Sequence, residues 1–360
     1  MDEIRVLVIA TTDLGFNGIT SVIMNYYRNI DRDKIQFDFI IGEKINEDIA
    51  KEIKSFGGKI YQLPSRKRQT LKYLLELRKI IRINGYKIVH AHGNSGTLFL
   101  DIHLAKKLGV PIRIAHSHNS TCKHKFIHKI LKNKLNKETT HPIACSKLAG
   151  DWLFNKEYTI INNGVDIQKF KFNNEIRKEY RDKLNLSNNF VIGHIGHFSY
   201  QKNHEYLLEI FKEVYTMNSN ARLLLIGDGI LRASIEEKIK NLKLEKVVVL
   251  LGKRNDTDKL IQAMDLFVFP SRFEGLPVVL IETQVAGLKS IVSDNITKEC
   301  GITDKIKYLS LEDDINVWKN EVLKCNKVYN REDIIDVMDN SQFNIKNEVK
   351  KLEDMYLKNI

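Results

Sequence analysis

Two glutamates with seven residues between them, Glu274 and Glu282, flank the turn Gly275-Leu276-Pro277-Val278. The apolar run Leu266–Phe269 precedes them as a buried strand would, and Pro277 suits the first turn of a helix. Glu274 then falls in a loop, and Glu282 about two turns into the helix. Backbone N–H groups from Gly275 through Val279 would leave the helix N-terminus unpaired, a setting that favours a diphosphate. Carboxylates beside an anion site do not bind phosphate; accepting hydrogen bonds from sugar hydroxyls is the chemistry that fits them. Two isolated glutamates, by contrast, are more often a cap and a solvent-facing helix residue.

A second group lies in Ile192–His204, where Gly193, Gly196, His197 and Lys202 follow a strand-like run and lead into a helix. The glycines permit close backbone approach to a ligand. Lys202 offers a point charge to a diphosphate. A neutral His197 offers a single donor. Near the start, Leu14-Gly15-Phe16-Asn17-Gly18 also joins a strand to a helix, but its Gly-x-x-Gly spacing is not the dinucleotide fingerprint, which disfavours NAD. Histidines recur in pairs after two strand-like runs, His90 with His92 and His116 with His118. A single such histidine is usually structural; two pairs at strand ends suggest the lining of a ligand cleft.

The elements that must position these residues are short apolar runs, evenly spaced, with amphipathic stretches between them. They include Val6–Ala10, Phe37–Ile41, Lys87–Ala91, Ile112–Ala115 and Pro142–Cys145, then Val191-Ile192, Leu223–Ile226, Val247–Leu251 and Leu266–Phe269. Continuous β-branched runs suit strands covered by helices on both faces, so the expected class is α/β with doubly wound parallel sheets. The chain's 360 residues exceed what one core usually holds, which points to two domains. Turn chemistry at Asn162–Asp166, followed by a polar helical stretch, puts the boundary between Asn162 and Asn174. The assigned domains are 1–165 with a final helix at about 345–360, and 166–344.

These motifs resemble glycosyltransferase family 4, in its capsule and exopolysaccharide branch. Pro270-Ser271, the Phe273–Pro277 core and the Glu–seven residues–Glu spacing are similar to that family's signature, with Thr283 where alanine is more usual. The resemblance covers nearly the whole chain, from the first glycine loop to residue 290. It implies the GT-B fold, two Rossmann-like domains facing across a cleft, with a C-terminal helix crossing back to the N-terminal domain. It implies a retaining transfer from a nucleotide sugar, most simply a UDP-sugar, without a metal ion or other cofactor. Glu274 would contact the donor sugar and Glu282 the ribose. Gly196, Lys202, Gly275, Leu276 and Val278 would surround the diphosphate, with Gly18 closing from the N-terminal side. The family carries arginine where His197 stands, so Lys202 must carry more of the charge. Gly252–Asp256, containing Arg254, resembles the loop whose backbone reads the base. Ile114–Ser120 resembles the region that places a histidine near the transferred sugar, assigned here to His118, with His92 and His116 as acceptor-side candidates. Asn163-Gly164-Val165-Asp166 resembles the family's interdomain element; Asp166 itself reads as a turn residue.

Composition narrows the partners. Lys and Arg total 57 against 45 Asp and Glu, and no acidic residue falls between Ile102 and Lys137. Such a field suits an anionic partner or is simply a solvated basic surface. Lys123–Lys137 places Phe126, Ile127, Ile130, Leu131 and Leu135 on roughly one helical face, fitting either a helix on an anionic membrane or one turned to the core. The expected acceptor is a polyprenyl-diphosphate-linked saccharide. Nucleic acid is not expected, since no recognition motif accompanies the charge. The four cysteines lie far apart and show no metal-ligand spacing, no Asp-x-Asp motif ends a strand, and no run of about 20 apolar residues appears. A cytoplasmic location is expected, with the inner face of the plasma membrane as the site of peripheral binding. The rival classes are an epimerase-like nucleotide-sugar enzyme and a non-catalytic subunit of the same fold.

Overall fold

The structure, a computed structural model, describes residues 3–15, 17–42, 44–327, 329, 331 and 335–358. The chain forms two compact units, Met1–Gly164 with Ile345–Ile360, and Val165–Asn344. Each is built on a parallel sheet.

The first unit carries β1 (Ile4–Ala10), β2 (Ile35–Ile41), β3 (Ile60–Gln62), β4 (Ile88–His92), β5 (Ile112–Ser117), β6 (His141–Ala144) and β7 (Thr159–Ile160), in the order β3-β2-β1-β4-β5-β6-β7. β1, β2 and β4 are almost wholly buried, as strands covered on both faces must be. The order reverses between β1 and β4, so the chain leaves these two neighbours in opposite directions and their carboxyl-terminal loops part. Asn17 caps the helix Gly18–Asn29, its side chain accepting from the Thr20 N–H at 3.0 Å. The helix Ile345–Leu357 belongs to this unit and packs on Gly18–Asn29. It is fastened by polar contacts: the buried Glu348 carboxylate accepts from Asn162 N–H at 2.6 Å, and Tyr356 lies 2.6 Å from Nδ1 of His90.

The second unit carries β8 (Phe190–Ile195), β9 (Ala221–Ile226), β10 (Val248–Gly252), β11 (Leu266–Phe269), β12 (Ser290–Ser293) and β13 (Ile306–Leu309), ordered β10-β9-β8-β11-β12-β13. Its core joins Phe190, Ile192, Phe211, Leu223, Val268 and Trp318. Again the order reverses at one pair, β8 and β11. The loops after these two strands hold Lys202 and Glu274. Asp166 behaves as a cap: its carboxylate accepts from Lys169 N–H at 3.1 Å at the start of the helix Ile167–Phe170.

The sequence leaves two readings of the helix Lys125–Glu138 open, and the core-facing one does not describe its first turns: the apolar residues are not gathered on one buried face. Leu135 is buried with His128 and Asn136, while Phe126, Ile127 and Ile130 are 77%, 44% and 52% exposed. The inner contacts are polar: His128 accepts the Gly96 N–H at 3.1 Å and stacks on Trp152, and Asn136 donates to Leu153 O at 3.1 Å. A face satisfied in this way leaves the first turns of the helix free to carry apolar side chains outward.

Candidate active site

At the β8/β11 switch point Lys202 Nζ donates to Glu274 Oε1 at 2.7 Å, and Gln201 Nε2 donates to Glu274 Oε2 at 2.9 Å. The side chains of Lys202 and Glu274 are only 16% and 7% exposed, so the charges meet largely out of water. The Lys202 ammonium also lies 4.4 Å from the centroid of the Phe269 ring. A short turn, Tyr200–Lys202, aims both donors at the carboxylate, and Arg272 N–H bonds Gln201 O at 2.8 Å to tie the two loops together. Gln201 is the contributor that sequence reasoning missed; its signal was only adjacency to Lys202.

Packing accounts for the glycines here. A Cβ on Gly196 would sit 3.1 Å from Cγ and Cδ of Lys202, crowding the stem that carries the ammonium. Gly227 has φ +135°, and a Cβ there would meet Gly196 O at 2.0 Å. Gly18 differs: nothing lies within 4 Å of its Cβ position. Phe16 of that loop lies outside the described residues.

Beyond Glu274 the chain enters the helix Val278–Val285. Pro277 is its N-cap, one residue earlier than expected, and offers no side-chain cap. The N–H groups of Val278 and Val279, in the first turn, have no intrahelical acceptor. Gly275 and Leu276 are buried immediately before them. Glu282 stands in the second turn. Burial pushes its carboxyl up to about 7, opposed by Lys169 and reinforced by Asp258. Among the described residues no hydrogen bond or ion pair reaches that carboxylate.

Among the described residues, no hydrogen bond joins the other two expected donor contacts, His197 and Arg254, to the Lys202–Glu274 pair. His197 is exposed on the loop after β8, and among the described residues no hydrogen bond reaches its ring. Arg254 is already engaged: its fork grips Asp256 at 2.8 and 2.5 Å, and Tyr180 donates to the same carboxylate at 2.9 Å. The Arg254 bond, followed by that from Tyr180, holds the Asp256 carboxyl down at about 2 against the opposing effect of burial. Arg254 thus shapes its loop and brings little unpaired charge.

In the first unit the histidines form one cluster. The side chains of residues two apart on a strand share a face, and His92 stands opposite His116 in the β4–β5 register. His90, His92, His116 and His118 are 1%, 4%, 1% and 9% exposed. Burial drives His90, His92 and His116 well below the usual imidazole range and His118 to about 3, so all four are neutral. His118, the sugar-side candidate, lies at the strand end with its ring 2.9 Å from Nδ1 of His92. His92 and His116, the acceptor-side candidates, are buried among the other rings, tilted toward each other at 5.0 Å between centroids, with His116 stacked on His118 at 4.2 Å. A smaller pair in the second unit, His194 and His204, is buried and brought by burial to about 3 and about 2.

Two doubly wound parallel units, one pairing a lysine with a glutamate at its switch point, define the GT-B class of glycosyltransferases. Its agreement with solved structures is broad: Anabaena Alr3699/HepE, crystallised with UDP and glucose, superposes with a TM-score of 0.81 at 16% identity, over 97% of this chain and 98% of that one. Family models match in tandem, Glycosyltransferase Family 4 over residues 16–169 and Glycosyl transferases group 1 over residues 176–308. EpsF of Bacillus subtilis (strain 168), named as a glycosyltransferase, is 32% identical over 86% of this chain and 84% of its own length. The Escherichia coli UDP-Gal:alpha-D-GlcNAc-diphosphoundecaprenol alpha-1,3-galactosyltransferase is 30% identical over 80% of this chain and 79% of its own. The chain belongs to glycosyltransferase family 4, in the branch devoted to polysaccharide assembly.

Proposed function

We propose that the chain transfers a sugar from a UDP-sugar to a polyprenyl-diphosphate-linked saccharide, with retention at the anomeric carbon and without a metal ion. The observation that carries this reading is the Lys202–Glu274 pair beside the uncapped N-terminus of Val278–Val285. Before the donor arrives, each group occupies the other's ligand position. A diphosphate placed on the Val278 and Val279 N–H groups draws Lys202 away, and the released carboxylate turns to the sugar hydroxyls. Charge developing on the departing diphosphate is then met by a fixed cation and oriented N–H groups. Glu274 is a binding and orienting group in this scheme, not a nucleophile. Glu282 takes the ribose and His118 the sugar side. The Escherichia coli relative supports the donor and acceptor class by its name, and its alpha-1,3 product is what retention yields from an α-linked nucleotide sugar.

No helix among the described residues is long and apolar enough to cross a membrane. Access to a lipid-linked acceptor is assigned to peripheral binding by Lys125–Glu138, where exposed Phe126, Ile127 and Ile130 stand among Lys123, Lys125, Lys129 and Lys134. The helix Phe99–Lys107 packs between it and Thr70–Asn84, which adds exposed Leu71, Leu75 and Ile83.

The test is nucleoside-diphosphate release from a panel of sugar nucleotides, comparing wild type with Glu274→Ala. Release from one UDP-sugar, accelerated by a lipid-linked acceptor and lost in the variant, is the expected result. An epimerised free nucleotide sugar would move the chain to the epimerase class, and failure to bind any nucleotide would reject the proposal.

A further inference from the structure

We propose that His90, His92 and His116 hold a first-row divalent metal ion, zinc in the first place, inside the first unit. Parallel strands covered by helices ordinarily present aliphatic side chains to them. Here the adjoining strands β4 and β5 present imidazoles, beneath the helix Ile345–Leu357. One nitrogen from each of His90, His92 and His116 can be chosen so that the three lie within 4.8 Å of one another. In a tetrahedral zinc site with arms of about 2.05 Å, ligand nitrogens stand about 3.3 Å apart. Nε2 of His90 and Nδ1 of His116 are already 3.2 Å apart. With one nitrogen of each ring within 4.8 Å of the others, closing to that spacing asks for shifts of at most about 1.5 Å, within the reach of ring rotation.

A further observation points to a ligand. A small cavity lies against the same three histidines, closed by Tyr26 and Tyr356 and by apolar side chains. Within the cluster His90 contacts His116, His92 contacts His118, and Tyr356 engages Nδ1 of His90. A metal ion between His90 and His116 replaces the proton they share, and Tyr356 accepts the remaining His90 N–H, fixing the tautomer as an outer partner does in metal sites. Imidazole nitrogens without carboxylates suit zinc, cobalt, nickel or copper and exclude magnesium and calcium. The three histidines belong to the first unit, whereas Lys202 and Glu274 belong to the second, so the proposed ion is no part of the Lys202–Glu274 pair.

The experiment uses the full chain without a histidine tag, stripped by a chelator, reloaded with Zn²⁺ or Co²⁺ under reducing conditions and desalted. One equivalent of metal by elemental analysis is expected. Co²⁺ should show visible d–d bands without the near-ultraviolet charge-transfer band that a bound thiolate gives, which separates the site from the four free cysteines. Reloading should raise the melting temperature of wild type, and Mg²⁺ should not. Tyr356→Phe should retain the metal and bind it about 10–100-fold more weakly; His90→Asn should retain none. No bound equivalent in reloaded wild type, a thiolate band, or full retention in His90→Asn would overturn the proposal; the first result would leave water as the occupant of the cavity.

Discussion

Glu282→Gln separates the cost of a buried carboxylate from its use. In the folded chain burial raises this group from 4.5 to about 7. Between those values the native state holds a proton that the unfolded chain has released, so stability falls as pH rises and levels off above about 7. The full shift corresponds to about 3.4 kcal/mol. Part of the residue meets solvent, which screens the charge, and about half of that ceiling is expected, roughly 1–2 kcal/mol. Glutamine keeps the shape and removes the charge. The second unit spans residues 165–344, and at about 2–4 °C per kcal/mol the variant should melt roughly 3–6 °C higher than wild type at pH 8. At pH 5 the two should nearly coincide. Differential scanning calorimetry at both pH values, without ligand, makes the measurement. UDP binding, followed by calorimetric titration at pH 8, should weaken about tenfold or more, since a hydrogen bond to a charged acceptor is worth about 1.5–3 kcal/mol. Equal melting shifts at both pH values, or a lower melting temperature at pH 8, would refute the assignment of burial as the dominant influence on Glu282.

The remaining tests bear on the same site and on the membrane face. Lys202→Ala leaves the Glu274 carboxylate buried beside Gln201 alone and should cost about 2–4 kcal/mol in the second unit; combining Lys202→Met with Glu274→Gln should recover most of that stability by thermal melting while transfer stays abolished. His197→Arg should lower the donor KM several-fold in steady-state assays, because a charged fork replaces a single donor at an exposed position with space around it; an unchanged KM would remove His197 from the diphosphate site. Phe126→Glu with Ile130→Glu should abolish flotation with anionic liposomes at low salt and leave the melting temperature within about 1 °C, since both side chains already lie in solvent.

Much of this fold is legible because most core strands carry a short apolar run, from Val6–Ala10 to Leu266–Phe269. The strands that escape notice lack that mark. Ile60–Gln62 and Thr159–Ile160 are short edge strands, and Ser290–Ser293 carries serine at both ends although all four residues are buried. Ser290 is tolerated because its hydroxyl lies 3.2 Å from that of Thr283, a pairing between a strand and a helix that no local pattern encodes. The site divides in the same way. Glu274 and Lys202 are recognisable from spacing and residue type, whereas their mutual ion pair and the part of Gln201 depend on how two loops, some seventy residues apart in sequence, meet at the β8/β11 reversal. Amphipathicity also failed to say which face of Lys125–Glu138 turns inward, because His128 and Asn136 supply an inner surface that a hydrophobic pattern counts as polar.

The glycines show how ligand chemistry can be separated from the demands of the fold. Gly227 is tied to its place: its φ is +135° and a Cβ there would meet the Gly196 backbone oxygen at 2.0 Å. Its presence says nothing about a ligand. At Gly193 the obstacle is a side chain, since a Cβ there would meet Sδ of the buried Met264 at 2.0 Å. Gly196 is intermediate, because the crowding atoms belong to the flexible stem of Lys202. Gly15 and Gly18 have open space at the Cβ position and no positive φ, so neither packing nor backbone conformation requires glycine there. In the proposed function, a donor approaching the first turn of Gly18–Asn29 would account for the missing side chain at Gly18. Gly18→Ala should therefore fold as wild type does and lose affinity for the donor, whereas Gly227→Ala should lose the fold of the second unit before any question of affinity arises.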